Sequence, residues 1–196
     1  MEKNDIIEFI MKAYEFAEKK HRGQFRADGV TPYIDHPVRV GRLIEKFKLS
    51  NHQDWLIAAA LLHDTLEDTY TSYKELSDEF GEVVASLVME LTTAKYVPKI
   101  VGKDVYLAQK MQFMTPYALD IKLADRFDNL CDMKNMPEEK RNRIFKETIY
   151  ISNYLREHRE LSRTQKIFLD LIDNVTQKNK NYNVSYLCDE QIPVKE

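Results

Sequence analysis

The chain has 196 residues, which suits one domain with a small appendage, and 43% of them are hydrophobic, enough to fill a core at that length. Its 29 Lys and Arg face 32 Asp and Glu, a formal net charge of −3, which removes the electrostatic case for gripping long nucleic acid. Only 5 Gly and 6 Pro punctuate the chain, so a turn-rich sheet fold is disfavoured and long helices are expected.

The opening residues, Met1-Glu2-Lys3-Asn4-Asp5, are polar and acidic, unlike a signal peptide. From there to Lys20, Ile6, Ile7, Ile10, Tyr14 and Ala17 recur at helical spacing and predict an amphipathic helix. His21 to Tyr33 carries Gly23, Gly29 and Pro32 and reads as a loop, with Arg22, Arg26 and two aromatics. Helix resumes near Pro37, with Val38, Val40, Leu43, Ile44 and Phe47 as its apolar face. Ser50 or Asn51 is expected to cap the next helix, whose run from Trp55 to Leu62 is apolar on every side and predicts the central buried element. That run is far short of the ~20 residues that cross a bilayer, so a cytoplasmic protein with no membrane partner is expected.

Two shorter helices are expected at Ser72 to Glu79 and Glu82 to Leu91, then a Lys-rich loop from Thr92 to Lys103. Helices follow at Val105 to Met114, Pro116 to Met133, Pro137 to His158 and Arg163 to Thr176. Residues 1–176 thus form one domain and 177–196 a polar tail. Cys131 and Cys188 lie far apart and outside any C-x-x-C pattern, and read as reduced thiols rather than a disulfide or zinc ligands.

The chemistry-bearing residues begin where the apolar helix ends, at His63-Asp64. Imidazole and carboxylate together suit a divalent ion such as manganese, iron or zinc. Glu67 and Asp68 follow four residues on, one turn above His63 and Asp64 if the helix continues. So many ionisable groups after eight apolar residues need a counter-charge if buried, and a bound cation supplies one. Alone, a His-Asp pair reads as a solvated helix end. His36, at a helix start, alone reads as a capping or surface histidine. Asp125, which shares a helical face with Asn129, alone reads as a surface salt bridge to Lys122 or Arg126. Their occurrence together favours a metal site. His52 and His158 are expected to be solvated, and His21 to pack beside the Arg loop. Arg22, Lys95, Lys99 and Lys103 are candidates for a basic lining that offsets phosphate charge.

Four strings carry a resemblance: His21-Arg22-Gly23-Gln24-Phe25-Arg26, Thr31-Pro32-Tyr33-Ile34-Asp35-His36-Pro37, the segment Ala60 to Thr69 around His63-Asp64, and Lys122-Leu123-Ala124-Asp125-Arg126. In this order they resemble the HD-domain metal-dependent phosphohydrolases, and more narrowly the hydrolase domain of the Rel/Spo alarmone enzymes and their small stand-alone relatives. The match runs from about Ala13 to Asn129, with weaker helical similarity to about Leu171. The resemblance implies an all-α fold, a single HD-domain helical bundle around a central metal site holding one manganese ion. It implies His36, His63, Asp64 and Asp125 as metal ligands, and Glu67 and Asp68 as the acids that position and activate the attacking water. It implies Arg26 against a guanine base and Asn129 on the nucleoside. The expected reaction removes the 3′-pyrophosphate of guanosine tetra- or pentaphosphate, (p)ppGpp, as a monofunctional hydrolase. Family members often carry His where this chain has Asp128 and Val where it has Leu66, and Leu130 to Met133 is less typical. Two other readings are an HD-type phosphatase acting on another 2′- or 3′-phosphorylated nucleotide such as NADPH, and a catalytically silent nucleotide sensor.

Overall fold

The computed structural model describes residues 3–93, 102–133 and 136–178, and these form an all-α bundle. The elements are α1 Lys3–Lys20, α2 Asp35–Phe47, α3 Gln53–Leu62, α4 Thr65–Asp68, α5 Tyr73–Leu91, α6 Lys103–Phe113, α7 Pro116–Cys131, α8 Glu138–His158 and α9 Arg163–Lys178. The one extended feature among the described residues is an isolated bridge, Phe25 to Pro32, that pinches the loop between α1 and α2.

The core is built around α3. Leu56, Ala58, Ala59, Ala60 and Leu62 are fully buried, and α1, α2, α5 and α7 all pack against it. Its three consecutive alanines matter because interaxial distance follows side-chain size, so small residues let the neighbours approach closely. Leu119, Ile121, Leu123, Phe127 and Leu130 supply the α7 face of the same core.

Two details differ from the sequence-based expectations. Neither Ser50 nor Asn51 caps α3: His52 occupies the N-cap position, and the Ser50 hydroxyl accepts its N–H at 3.1 Å. The helix does not run unbroken through His63-Asp64; α3 stops at Leu62 and a single turn, α4, restarts at Thr65, although Asp68 N–H still donates to the Asp64 carbonyl at 2.9 Å. The two helices expected at Ser72 to Glu79 and Glu82 to Leu91 are both present within α5, separated by non-helical Gly81, whose φ of 83° and ψ of 161° place it where essentially only glycine is found. Ser72 does cap that element, accepting the Glu75 N–H at 3.1 Å.

The expected tail lies outside the described residues apart from Gln177 and Lys178, which close α9. The expectation of two reduced thiols involves Cys188, which lies outside the described residues. No helix among the described residues is long and apolar enough to cross a membrane.

Candidate metal centre

Three elements converge on one point. The first turn of α2 brings His36, the C-terminal end of α3 brings His63 and Asp64, and the middle of α7 brings Asp125. His36 Nε2 lies 3.2 Å from Asp125 Oδ1 and 3.7 Å from Asp64 Oδ2. His63 Nε2 lies 3.1 Å from Asp64 Oδ2 and 3.8 Å from Asp125 Oδ1. His36, His63 and Asp125 can each point one ligand atom to a common centre, with all three atoms within 4.8 Å of one another. All three are buried, and Asp64 is largely so.

Both imidazoles are held by their far nitrogens. His63 Nδ1 lies 2.7 Å from the Ala60 carbonyl, which can only accept, so Nδ1 carries a proton and Nε2 is the nitrogen left to face the centre. His36 Nδ1 lies 2.6 Å from Asp128 Oδ2. His63 Nε2 is buried and makes no hydrogen bond of acceptable geometry. A buried orphan nitrogen beside two carboxylates and a second imidazole is what a divalent cation would satisfy. The N,N,O,O donor set suits manganese, iron or zinc, so the residues fit a divalent metal.

The charges follow the same logic. Burial alone would lower the His63 pKa, but Asp64 and Asp125 outweigh it and raise it to about 10. His36 is raised too, because bonds to Asp125 and Asp128 overcome its burial. Burial raises Asp64 and Asp125, yet the neighbouring cations win and hold both low, His63 for Asp64 and Lys122 for Asp125. Lys122 Nζ sits 2.9 Å from Asp125 Oδ2, with the two side chains 11% and 9% exposed. The salt bridge to Lys122 weighed from sequence therefore exists, but inside the protein rather than on its surface.

A cavity of about 290 Å³ opens beside the centre. Glu67 lines it and accepts the Thr93 N–H at 2.7 Å. Asp68 is exposed and does not line it, lying 3.4 Å from the Tyr33 hydroxyl. Asn129 lines the cavity and donates to Asp125 Oδ1. Arg26 does not line it: its side chain is 9% exposed, with Nε 2.7 Å from Asp132 Oδ2 and Nη2 2.8 Å from Asn129 Oδ1. Of the basic candidates, Lys103 reaches the lining, where it lies 3.6 Å from Glu147, whereas Arg22 is 72% exposed beside Glu18. Lys95 and Lys99 lie outside the described residues. His21 is buried and stacks on Tyr33, while His52 and His158 stack on Trp55 and Tyr154 at the surface.

Sequence reasoning passed over three residues. The Tyr33 hydroxyl donates to Asp64 Oδ2 at 2.6 Å, and burial followed by the charge of Asp64 pushes its ionisation far up, so it stays a donor. Asp128 was noted as a departure from the family, yet it holds His36. Its spacing from Asp125, three residues along α7, was a legible signal because it puts both carboxylates on one face. Arg39 grips Asp128 through two bonds, Nε to Oδ1 at 2.7 Å and Nη2 to Oδ2 at 2.9 Å, and no local pattern announces it.

The family model for the HD domain matches residues 13–160, a span that contains every residue of this centre. The chain is an HD domain of the Rel/Spo kind. It is 41% identical over 147 residues to a guanosine-3′,5′-bis(diphosphate) 3′-pyrophosphohydrolase of Aquifex aeolicus, covering 74% of this chain and 20% of that protein. It is 39% identical over 131 residues to the human protein of that activity named MESH1, covering 66% of this chain and 72% of the relative. A solved structure described as a metazoan ortholog of SpoT that hydrolyses ppGpp matches with a TM-score of 0.72 at 28% identity, over 85% of this chain and 94% of the other. This HD domain spans 20% of the length of the first curated relatives it matches.

Proposed function

We propose that this HD domain is a manganese-dependent hydrolase that removes the 3′-pyrophosphate of ppGpp or pppGpp, in the cytoplasm, on a small nucleotide and not on a nucleic acid. The observation that carries the reading is the convergence of His36, His63, Asp64 and Asp125 beside a cavity that also holds Glu67, in a chain whose relatives carry that activity.

The reaction adds water across one bond. The water oxygen bonds to the phosphorus attached to ribose O3′, the P–O3′ bond breaks, and O3′ takes up a proton, giving GDP or GTP and pyrophosphate. A bound manganese ion supplies a lowered water pKa and offsets charge on the phosphoryl oxygens. His36, His63, Asp64 and Asp125 would hold it. Glu67 takes the proton from the attacking water, the role its place in the cavity allows. Asp68, 3.4 Å from the Tyr33 hydroxyl, is the second acid that would help position the attacking water. Tyr33 fixes the Asp64 carboxylate, while Lys122 and Lys103 place positive charge along the path of the phosphates. Asn129 contacts the nucleoside. Arg26, with its guanidinium plane packed near the Tyr33 ring, borders the base rather than reaching into the cavity.

Incubating the purified protein with manganese and ppGpp tests the proposal. GDP and pyrophosphate are expected, and no product above buffer alone rejects it. A panel that includes NADPH, ranked by kcat/KM, decides the substrate; a clear preference for another nucleotide keeps the metal chemistry and overturns the alarmone assignment.

A further inference from the structure

Seven side chains close a ring that contains two of the four metal-facing residues. His36 Nδ1 meets Asp128 at 2.6 Å, and Arg39 grips Asp128 with both arms of its guanidinium. The same Arg39 Nη2 lies 3.3 Å from Asp132 Oδ2, which accepts Arg26 Nε at 2.7 Å. Arg26 Nη2 donates to Asn129 Oδ1 at 2.8 Å, Asn129 donates to Asp125, and Asp125 Oδ1 returns to His36 Nε2 at 3.2 Å. The ring joins α2, α7 and the loop after α1, over separations as great as 106 residues. Arg39 alone touches both of its outer carboxylates, Asp128 and Asp132, and its side chain, 36% exposed, does not line the cavity.

We propose that Arg39 is a positioning residue for the metal centre: it locks Asp128 against His36 on one side and, through Asp132, Arg26 and Asn129, steadies Asp125 on the other. The physical reason is geometric. A carboxylate that accepts from His36 Nδ1 sets the tautomer and plane of the ring, and so the direction of the Nε2 lone pair. A carboxylate can swing about its last torsion, and a bidentate guanidinium removes that freedom as no point charge would. Asp128 is also the fourth carboxylate in a confined region with Asp64, Asp125 and Asp132, and Arg39 supplies the fixed cation that lets it stay close.

The inference concerns the same centre and takes from the proposed function only that a divalent metal binds there; the measurement does not depend on the substrate. Manganese affinity of the metal-free protein is read by competition with a chelator. Arg39→Gln is expected to lower it by about 10- to 100-fold, the range seen when outer partners of metal-ligating histidines are lost. Arg39→Lys, which keeps the charge and loses the fork, recovers only part of the loss. In an Asp128→Ala background the same Arg39→Gln change is expected to cost clearly less affinity than it does in the parent, leaving only the part carried through Asp132. Two results overturn the proposal. One is Arg39→Gln affinity within about twofold of the parent, whatever its melting temperature, which would mark a purely structural pair; the other is full multiplication of the two losses in the double variant. If ppGpp proves not to be a substrate, these affinities still decide the role of Arg39. If ppGpp is a substrate, saturating manganese should restore kcat more fully than affinity.

Discussion

Replacing Lys122 with Met tests the electrostatic account of the centre without touching a proposed ligand. The ammonium is buried 2.9 Å from Asp125, and burial, the force that would lower its pKa, is overcome by Asp125 and Asp64. At an effective dielectric of about 20, two unit charges ~3 Å apart attract by about 6 kcal/mol, most of it offset by desolvation. Removing one partner of such a pair leaves an uncompensated buried charge and costs about 3–5 kcal/mol. For a domain of this size each kcal/mol is worth about 2–4 °C, so metal-free Lys122→Met should melt about 6–20 °C below the parent. Saturating manganese should narrow the gap, since a bound cation satisfies Asp125 in place of the ammonium and the folded state gains by mass action. The assay is thermal unfolding with and without metal. A metal-free variant melting within about 2 °C of the parent would show that Asp125 is balanced elsewhere, and would end this account of the site.

Three further outcomes are expected. Asp64→Ala should lose metal and activity together, while Glu67→Gln keeps the metal and loses about 10²- to 10⁴-fold in turnover, the usual contribution of a general base; elemental analysis beside a ppGpp assay separates them, and stoichiometric manganese in Asp64→Ala would refute its place as a ligand. Tyr33→Phe removes a hydrogen bond to a charged carboxylate and should cost about 1.5–3 kcal/mol of metal-free stability, read from a urea midpoint. Lys110 carries a pKa lowered to about 8, first by burial and then by Lys122. Between that value and the ordinary lysine range the unfolded chain binds more protons than the folded one, so this group makes stability rise with pH across the window. The penalty is fully present below about 8. Lys110→Met should flatten the rise in urea midpoint between pH 8 and pH 10.5, and an unchanged slope would assign it to other groups.

Much of the bundle was legible because helical periodicity and its breakers are local. The residues of α1, the loop broken by Gly23, Gly29 and Pro32, and the buried stretch of α3 all read directly from spacing. That His36, His63, Asp64 and Asp125 meet in space was legible for a different reason: His-Asp at the end of an all-apolar helix is a conflict that needs a counter-charge, and four separated strings resemble one family. What was not legible depends on pairing across the fold. Asp128 looked like a departure because its partners, His36 and Arg39, are 92 and 89 residues away. The resemblance implies Arg26 against a guanine base, and nothing local to Arg26 announces that Asp132 and Asn129, more than 100 residues away, hold its guanidinium. The cap of α3 failed because Ser50 turned its hydroxyl to the amide two residues on, a short-range alternative that competes with capping.

The alanine-rich stretch of α3 divides the molecule's freedom to change. A larger residue at Ala58, Ala59 or Ala60 would wedge α2 or α7 outward, and α2 and α7 carry His36 and Asp125; shifts beyond about 0.5 Å are enough to spoil such a constellation. The opposite wall of the cavity comes from α6 and α8, which pack mainly on each other and contribute Lys103, Leu107, Ile144 and Glu147 but no residue of the metal-facing set. Half of the bundle is thus a rigid anvil, and the other half a replaceable jaw. On the proposed function, remodelling α6 and α8 would alter the contacts to the nucleotide while the candidate metal centre stays where α3 pins it.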